Sequence, residues 1–201
     1  MRFFKPCFVA GWIYPNALFR VKTSEKLLFL TFDDGPDPES TPVLLEILKK
    51  YSIQVIFFCN GREAEKYPEI IRQIKSQGHL LGNHGYKHLN GWRTSTGEYI
   101  SDVEHAAGFT SSDLFRPPYG RLSPGQYRKL RHKYRILFWD IMPYDFDINF
   151  GVSDSLEILR KNIRPGSIIV FHDTGESGVL KFLEEFILFS KNEGYRFDNN
   201  V

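Results

Sequence analysis

Two histidines stand four residues apart in the segment HGYKH, at positions 84 and 88. One helical turn at this spacing would bring both imidazoles to the same side, close enough to share one metal ion. Because histidines at this spacing also occur as surface or capping residues, a third ligand is needed. Asp33 and Asp34 can supply it, since consecutive side chains leaving an extended strand point in different directions. The same Asp-Asp-Gly-Pro sequence is also typical of an ordinary turn.

One aspartate and two histidines leave positions open for water on a zinc-like ion, which is the catalytic rather than the structural pattern of coordination. Such a site is hydrolytic, because the pKa of metal-bound water falls toward ~7. The free aspartate would then take the proton, and His172 is placed to protonate the leaving group. Asp145 or Asp140 would hold the His172 imidazole and favour its charged form. Arg116 would orient the free aspartate.

These residues follow short apolar runs that alternate with amphipathic segments along the chain. That alternation predicts strands followed by helices, and therefore a parallel sheet in an α/β fold. The carboxyl ends of parallel strands share one edge, so the polar residues that follow six of the strands predict a single active site. Asn60 and Asn83 belong to this polar set. The predicted strands are 27–32, 54–58, 79–81, 114–115, 135–139, 167–171 and, more weakly, 195–197.

Helices are predicted between these strands. Thr41 is predicted to cap the first helix, with Pro42 at its first position. Pro68 is predicted to open the next helix, and Gly78 to end it. The remaining predicted helices are 97–105, 123–133, 153–163 and 179–192.

The composition describes one globular domain. The chain has 201 residues, of which 42% are apolar and 25% charged, and its net charge of +2 gives no reason to expect a nucleic-acid partner. The apolar stretch 7–13 is far shorter than the ~18 residues of a membrane-spanning helix. No small-residue cleavage site follows it, so we expect a cytoplasmic rather than a secreted protein. Of the two cysteines, Cys59 is expected to be a buried free thiol, while Cys7 has no predicted role.

Four motifs occur together in the order TFDDGP at 31–36, HGYKH at 84–88, RPPYG at 116–120 and IVFHD at 169–173. In this combination the chain resembles the polysaccharide deacetylase family, which is carbohydrate esterase family 4 with the NodB-homology fold. The resemblance spans about residues 27–174. It implies a distorted (β/α) barrel, here of about seven parallel strands that need not close. The whole chain, 1–201, would be one such domain, with 1–26 as an N-terminal extension packing on the barrel.

The resemblance also implies an activity and a role for each candidate residue. Family members remove N- or O-acetyl groups from glycans with a divalent metal, usually zinc, so the expected partner is an acetylated sugar or polysaccharide and the product is acetate. Cobalt or another divalent ion is an alternative to zinc. The implied metal ligands are Asp34, His84 and His88. The implied catalytic residues are Asp33 as base, His172 as acid, Arg116 as support for Asp33, Asp145 as partner of His172, and Tyr119, whose backbone N–H would hold the developing oxyanion.

Three positions depart from the family pattern. Phe146 stands where Trp commonly follows the aspartate, Gly85 replaces a hydroxyl residue after the first histidine, and Val170 replaces Leu. We therefore expect an altered wall of the acyl pocket. Two other functions stay open: an amide hydrolase acting on a formylated sugar or a small cyclic amide, and a catalytically silent glycan-binding module. Such a module would be expected to lack Asp33 or His172, and both are present.

Overall fold

The computed structural model describes residues 10–201. Within these residues one curled sheet has seven strands, and every pairing between them is parallel. The strand order is β5-β4-β3-β2-β1-β6, with β7 pairing β1. This arrangement confirms the predicted parallel α/β fold. The strands are β1 (Leu27–Asp33), β2 (Ile56–Cys59), β3 (Leu80–Asn83), β4 (Leu114–Phe115), β5 (Arg135–Ile136), β6 (Ser167–His172) and β7 (Arg196–Phe197).

Helices connect the strands, as the amphipathic segments predict. Two 3₁₀ turns, Pro118–Gly120 and Val179–Lys181, supplement the α-helices. The α-helices are α1 (Ala10–Ile13), α2 (Ser40–Lys50), α3 (Gly61–Lys66), α4 (Pro68–Ser76), α5 (Thr96–Thr110), α6 (Pro124–Leu130), α7 (Val152–Asn162) and α8 (Leu183–Asn192).

Strand β1 separates the packed core from the concave side of the sheet. Leu28, Leu30 and Phe32 pack among apolar residues of α2, α4, α7 and α8 in the largest hydrophobic cluster. Because successive side chains alternate between the two faces of a strand, Thr31 and Asp33 face the other way. Both of them contact the fully buried Arg116 on that side. The alternation in β1 therefore places polar side chains on the concave face and apolar side chains beneath the helices.

The two outer strands of the sheet, β5 and β6, do not pair with each other as strands. Isolated bridges span the interval between them, and two of these involve the N-terminal segment: Leu18 pairs with Leu137, and Arg20 with Ser167. A third bridge joins Ile141 to Ile169. The curled sheet is therefore completed by single bridges rather than by a continuous ladder. The part of the predicted N-terminal extension before residue 10, with Cys7, lies outside the described residues.

Two details of the helix prediction are wrong. Thr41 does not cap α2 but lies inside its first turn. Its hydroxyl accepts from the Asp37 N–H and donates to Asp173. Helix α3 was not predicted, since its sequence GREAEK has no apolar period, and Asn60 caps it by accepting from the Arg62 N–H. Cys59 is free and buried, as predicted. Among residues 10–201, we find no helix with the length and apolar character needed to cross a bilayer.

Candidate active site

The carboxyl ends of β1 and β6 bring two candidate residues side by side. Asp33, the last residue of β1, is in register with His172, the last residue of β6. Register partners in adjacent parallel strands carry their side chains on the same face, so both project toward the concave side. The strand pairing alone therefore places the predicted base and the predicted acid at one edge.

Arg116 holds Asp33 in place from within the sheet. The guanidinium donates from Nη1 to Asp33 Oδ1 at 2.6 Å and to the Thr31 hydroxyl at 2.7 Å. Its Nη2 donates to the Phe138 carbonyl at 2.9 Å, and its plane lies over the Phe58 ring with Cζ 4.2 Å from the ring centre. Because Arg116 is 0% exposed, this charge is compensated within the protein. Asp33 is thereby fixed in orientation, with its second oxygen left toward the cavity.

Asp34, His84 and His88 form a cluster suited to a metal ion. One ligand atom from each lies within 4.8 Å of the other two. His84 Nδ1 lies 2.8 Å from the Arg116 carbonyl, an acceptor, so Nδ1 carries the hydrogen and Nε2 is left with its lone pair. Nε2 of His84 lies 3.6 Å from Asp34 Oδ1, and Nε2 of His88 lies 3.2 Å from the same oxygen. This donor set fits zinc, which binds imidazole nitrogen and carboxylate oxygen.

The charges of the cluster also favour a cation. Burial lowers the pKa of His84, more than the nearby Asp33 raises it, so its imidazole is neutral. Burial by itself would raise the pKa of Asp34, but the hydrogen bond with His88 and the positive charge of His172 hold it well below its usual range. A neutral imidazole and an ionised carboxylate are the protonation states that metal ligands need.

The two histidines meet through a loop, so the expected helical turn is wrong. Residues 84–88 follow β3 without helical structure, and both Gly85 and His88 have positive φ, of 75° and 54°. Asp102 of α5 accepts from the N–H groups of Tyr86 and Lys87 at 2.8 and 3.0 Å. Asn83 accepts from the Gly85 N–H at 2.8 Å. The Asp102 and Asn83 side chains therefore stabilise this loop, in which Gly85 has no hydroxyl of its own.

Across the cavity, Asp145 holds His172. Its Oδ1 lies 3.1 Å from Nδ1 of the imidazole, and its Oδ2 accepts from the His172 backbone N–H at 2.7 Å. The Ser177 hydroxyl donates to Oδ2 at 2.9 Å. Burial alone would lower the pKa of His172, but the Asp145 charge and hydrogen bond outweigh it and raise the pKa to about 9. The imidazole is therefore protonated at neutral pH, with Nε2 available as a donor.

Three candidate residues adopt the left-handed backbone region, which residues other than glycine rarely occupy. Asp34 has φ 79°, His88 has φ 54° and Tyr119 has φ 59°. Each such residue costs on the order of 1 kcal/mol, and backbone strain of this kind clusters at functional sites. In the turn Pro118–Gly120, the Tyr119 ring lies 4.5 Å from the His88 ring, centre to centre. The turn therefore lies directly beside the metal cluster.

The metal cluster, Asp33, His172 and Tyr119 border one cavity of about 340 Å³. Its polar wall contains Asp33, Asp34, His84, His88, Tyr119, Arg121 and His172. Its apolar wall contains Trp139, Met142, Phe146 and Val170. Phe146 packs edge-on against the His172 imidazole with ring centres 4.7 Å apart, so this residue, one of the three departures from the family pattern, lies directly beside the predicted acid.

Some polar residues of the predicted rim lie elsewhere. Asp140 accepts from Arg164 at 2.5 and 3.0 Å and from the Ser167 hydroxyl at 2.7 Å, at the opposite end of β6 from His172. Of the two aspartates weighed as partner of His172, the structure brings only Asp145 to it. Asn60 and Asn83 serve as local hydrogen-bond anchors rather than cavity walls.

Asp173 is a supporting residue that sequence reasoning missed. It is 1% exposed, and the hydroxyls of Ser40 and Thr41 donate to its two oxygens at 2.5 and 2.6 Å. Burial raises its pKa to about 7, despite both hydroxyl bonds. A Cβ on Gly35 would lie 2.2 Å from Asp173 Oδ2, so only glycine fits there. Asp173 thus ties the start of α2 to the ends of β1 and β6, behind the turn that carries Asp34, and the required Gly35 in DDGP was the available signal.

Comparisons with known proteins extend over the same residues. A family model described as polysaccharide deacetylase matches residues 20–136. A peptidoglycan-N-acetylglucosamine deacetylase from Bacillus cereus is 31% identical over 203 residues, covering 96% of this chain and 92% of that protein. A chitooligosaccharide deacetylase from Azorhizobium caulinodans is 35% identical over 164 residues, covering 77% of each chain.

A solved structure gives the same result for the fold. The crystal structure of a peptidoglycan N-acetylglucosamine deacetylase, in complex with a substituted N-oxidanyl-benzamide, superposes with a TM-score of 0.89 at 29% sequence identity. The match covers 97% of this chain and 95% of the other. The curled parallel sheet and its connecting helices are therefore shared along nearly the whole chain.

Proposed function

Because the chain belongs to the polysaccharide deacetylase family, we propose that it hydrolyses the acetamide of N-acetylated amino sugars in a glycan, with a divalent metal ion, and releases acetate. Zinc is the first choice of metal, with cobalt or another divalent ion as alternatives. One observation carries the proposal. Three residues whose ligand atoms could share a metal ion, an aspartate fixed by a buried arginine and a protonated histidine fixed by a second aspartate all border one cavity.

The metal would be held by Asp34, His84 and His88. When bound, it would polarise the acetyl carbonyl and lower the pKa of the attacking water. His84 is prepared for this by its Nδ1 hydrogen bond to the Arg116 carbonyl, which directs Nε2 toward Asp34. The same arginine therefore supports both a ligand and the base.

Asp33 would accept the proton of the attacking water. Its Oδ1 is occupied by the Arg116 guanidinium, and its Oδ2 lies 3.9 Å from His84 Nε2, so this free oxygen borders the metal cluster. A base must lie within hydrogen-bond reach of the proton it removes, and this position provides that reach. Arg116 keeps the carboxylate aimed while the proton is transferred.

His172 would protonate the leaving amine nitrogen. It is charged at neutral pH because of Asp145, and it lies in register with Asp33 on the neighbouring strand. The Tyr119 N–H would donate to the developing oxyanion, an interaction often worth ~3 kcal/mol in the transition state. Asp33 would thus take a proton from the attacking water, and His172 would give a different proton to the leaving amine.

The glycan class is taken from the two relatives. One is named for N-acetylglucosamine in peptidoglycan and the other for chitooligosaccharides. Both names describe an N-acetylated hexosamine within an oligomer, and we propose this class as the substrate. The open, largely apolar wall of Trp139, Met142, Phe146 and Val170 would pack against the acetyl methyl group and the sugar ring.

Acetate release tests the proposal. Zinc-loaded protein is incubated with tetra-N-acetylchitotetraose and with peptidoglycan fragments, and acetate and free amines are both quantified. We expect release from at least one substrate, with a loss of at least ~100-fold in Asp33→Asn and His172→Ala. His132→Ala, which removes an exposed histidine away from the cavity, is the matched control and should keep the wild-type rate.

Two results would contradict this function. Wild-type rates in both Asp33→Asn and His172→Ala would remove the acid and base roles. Release of formate from a formylated sugar, or ring opening of a cyclic amide to its amino acid, with no acetate from any acetylated glycan would assign a different amide hydrolase.

A further inference from the structure

Arg121 is a cation of the cavity wall that the proposed chemistry does not use. It lines the cavity beside Tyr119 and Gly120. None of the ion pairs among residues 10–201 involves Arg121. The two carboxylates of the cavity already have other partners, because Asp33 pairs with Arg116 and Asp34 faces the two histidines. Arg121 therefore brings to the cavity wall a positive charge that no carboxylate of the described residues neutralises.

The guanidinium is also held in a defined place. Its Cζ lies 5.2 Å from the centre of the Trp92 indole ring, a cation–π contact. Trp92 is 66% exposed, and its indole N–H donates to the Leu122 carbonyl at 3.3 Å. At the backbone, the Arg121 N–H donates to the Pro118 carbonyl at 3.0 Å. A pre-positioned planar guanidinium matches the two oxygens of a carboxylate or a phosphate.

The position of Arg121 relative to Tyr119, whose N–H is the proposed oxyanion donor, limits which groups of the substrate it can contact. Only Gly120 separates it from Tyr119, and two residues of chain span at most ~7 Å. That distance is about the width of one sugar ring plus a substituent. Because the arginine side chain adds its own length to this distance, a group that contacts the guanidinium belongs to the sugar that presents its acetamide or to a neighbouring sugar of the same glycan.

We infer that Arg121, supported by Trp92, is a specificity-determining residue that selects acetylated amino sugars with an anionic substituent, a carboxylate or a phosphate, on or next to the reacting sugar. This inference rests on the proposed deacetylase function, which supplies the acetylated amino sugar as the substrate. It predicts a preference for acidic over neutral glycans, which the proposed reaction alone does not require.

Binding and turnover are measured with three ligands. These are neutral di-N-acetylchitobiose, the disaccharide of N-acetylglucosamine and N-acetylmuramic acid with its lactyl carboxylate, and a phosphorylated di-N-acetylchitobiose. Calorimetry uses the zinc-loaded Asp33→Asn protein, alone and combined with Arg121→Gln, Arg121→Lys or Arg128→Gln. Arg128 is an exposed arginine of α6 outside the cavity and gives a charge-matched control. The same ratios are taken from KM in proteins that keep Asp33.

We expect one of the two anionic ligands to bind at least ~10-fold more tightly than the neutral one, the lower range for a charge-assisted hydrogen bond. Arg121→Gln should abolish this ratio, Arg121→Lys should keep part of it, and Arg128→Gln should leave it unchanged. Preference for the lactyl ligand would identify a carboxylate, and preference for the phosphorylated ligand a phosphate.

Equal binding of all three ligands by the protein that keeps Arg121 would overturn the inference. A preference for an anionic ligand that survives Arg121→Gln would overturn it as well. Its failure is distinguishable from failure of the proposed function. Acetate release without any anion preference contradicts only the role of Arg121. Anion preference in the binding assay without acetate release from any glycan contradicts only the deacetylase reaction.

Discussion

Replacing Asp145 with asparagine isolates the charge that keeps His172 protonated. The substitution keeps an oxygen for the His172 backbone N–H and the Ser177 hydroxyl, which lie 2.7 and 2.9 Å from Asp145 Oδ2, so the local geometry should survive. What is lost is the negative charge, the strongest of the effects that raise the pKa of His172 from 6.5 to about 9. This difference corresponds to roughly 3 kcal/mol in favour of the imidazolium.

The consequence appears in the pH dependence of kcat. Without the charge, burial would hold the pKa of His172 at or below 6.5, its ordinary value. At pH 8, His172 would be about 90% protonated in the wild type and about 3% in Asp145→Asn, so kcat should fall about thirtyfold. At pH 5.5, both proteins would hold the proton, and their rates should agree within about twofold. The variant thus differs from the wild type mainly above neutral pH.

The assay is a kcat profile from pH 5.5 to 10 for both zinc-loaded proteins, with acetate as the readout. Asp140→Asn is the matched control, because Asp140 pairs with Arg164 rather than with His172 and should leave the alkaline limb in place. An alkaline limb that stays near pH 9 in Asp145→Asn would refute the assignment of this carboxylate. A rate reduced equally at every pH would refute the acid role of His172.

The same shift has a consequence for folding. Because the folded-state pKa of His172 is raised, its contribution to the free energy of unfolding is fully present below pH 6.5 and is lost as the pH rises through about 9. The stability difference between wild type and Asp145→Asn should therefore shrink over this interval. Urea denaturation at several pH values measures it, and a difference that grows with pH would exclude the Asp145 charge as the cause of the raised pKa.

Three further predictions follow from other contacts of the site. Arg116→Met should lower the free energy of unfolding by about 3–5 kcal/mol, because it leaves the buried Asp33 without its ion-pair partner. Arg160→Met, at an exposed ion pair, should cost less than about 1 kcal/mol, and urea denaturation compares the two variants. His88→Ala removes one of the three metal ligands, so calorimetry should show zinc affinity at least ~10-fold weaker, and unchanged affinity would exclude it as a ligand. Asp102→Ala frees the loop that carries the histidines and should weaken zinc binding by about 10–100-fold without removing a ligand.

The fold could be predicted largely from the sequence because its short apolar runs alternate with amphipathic segments and are separated by clear breaks. The strands predicted at 27–32 and 167–171 differ from β1 and β6 by a single residue at their ends. Helix α3 could not be found in this way, since six polar and small residues show no period. Thr41 was misplaced because its hydroxyl has a better partner in Asp173, a residue 132 positions away along the chain.

The candidate site divides in the same way. Residue types and strand ends indicated which side chains would meet, including Asp33 and His172 at adjacent strand ends. They could not indicate the positive φ of Asp34 or His88, because neither residue is a glycine and the surrounding fold imposes that conformation. Spacing suggested a helical turn for the histidines, whereas the Asp102 carboxylate stabilises a loop. Distant hydrogen bonds decided these details, and they leave no local pattern.

Anomalous X-ray scattering at the zinc edge, from crystals of the zinc-loaded protein, tests the central claim most directly. We predict a single strong peak about 2.0–2.2 Å from Asp34 oxygen and from Nε2 of His84 and His88. Asp33 should lie outside bonding distance and stay paired with Arg116. A peak elsewhere, or one in which Asp33 is a ligand and no longer free to act as a base, would contradict the proposed division of roles between the two aspartates.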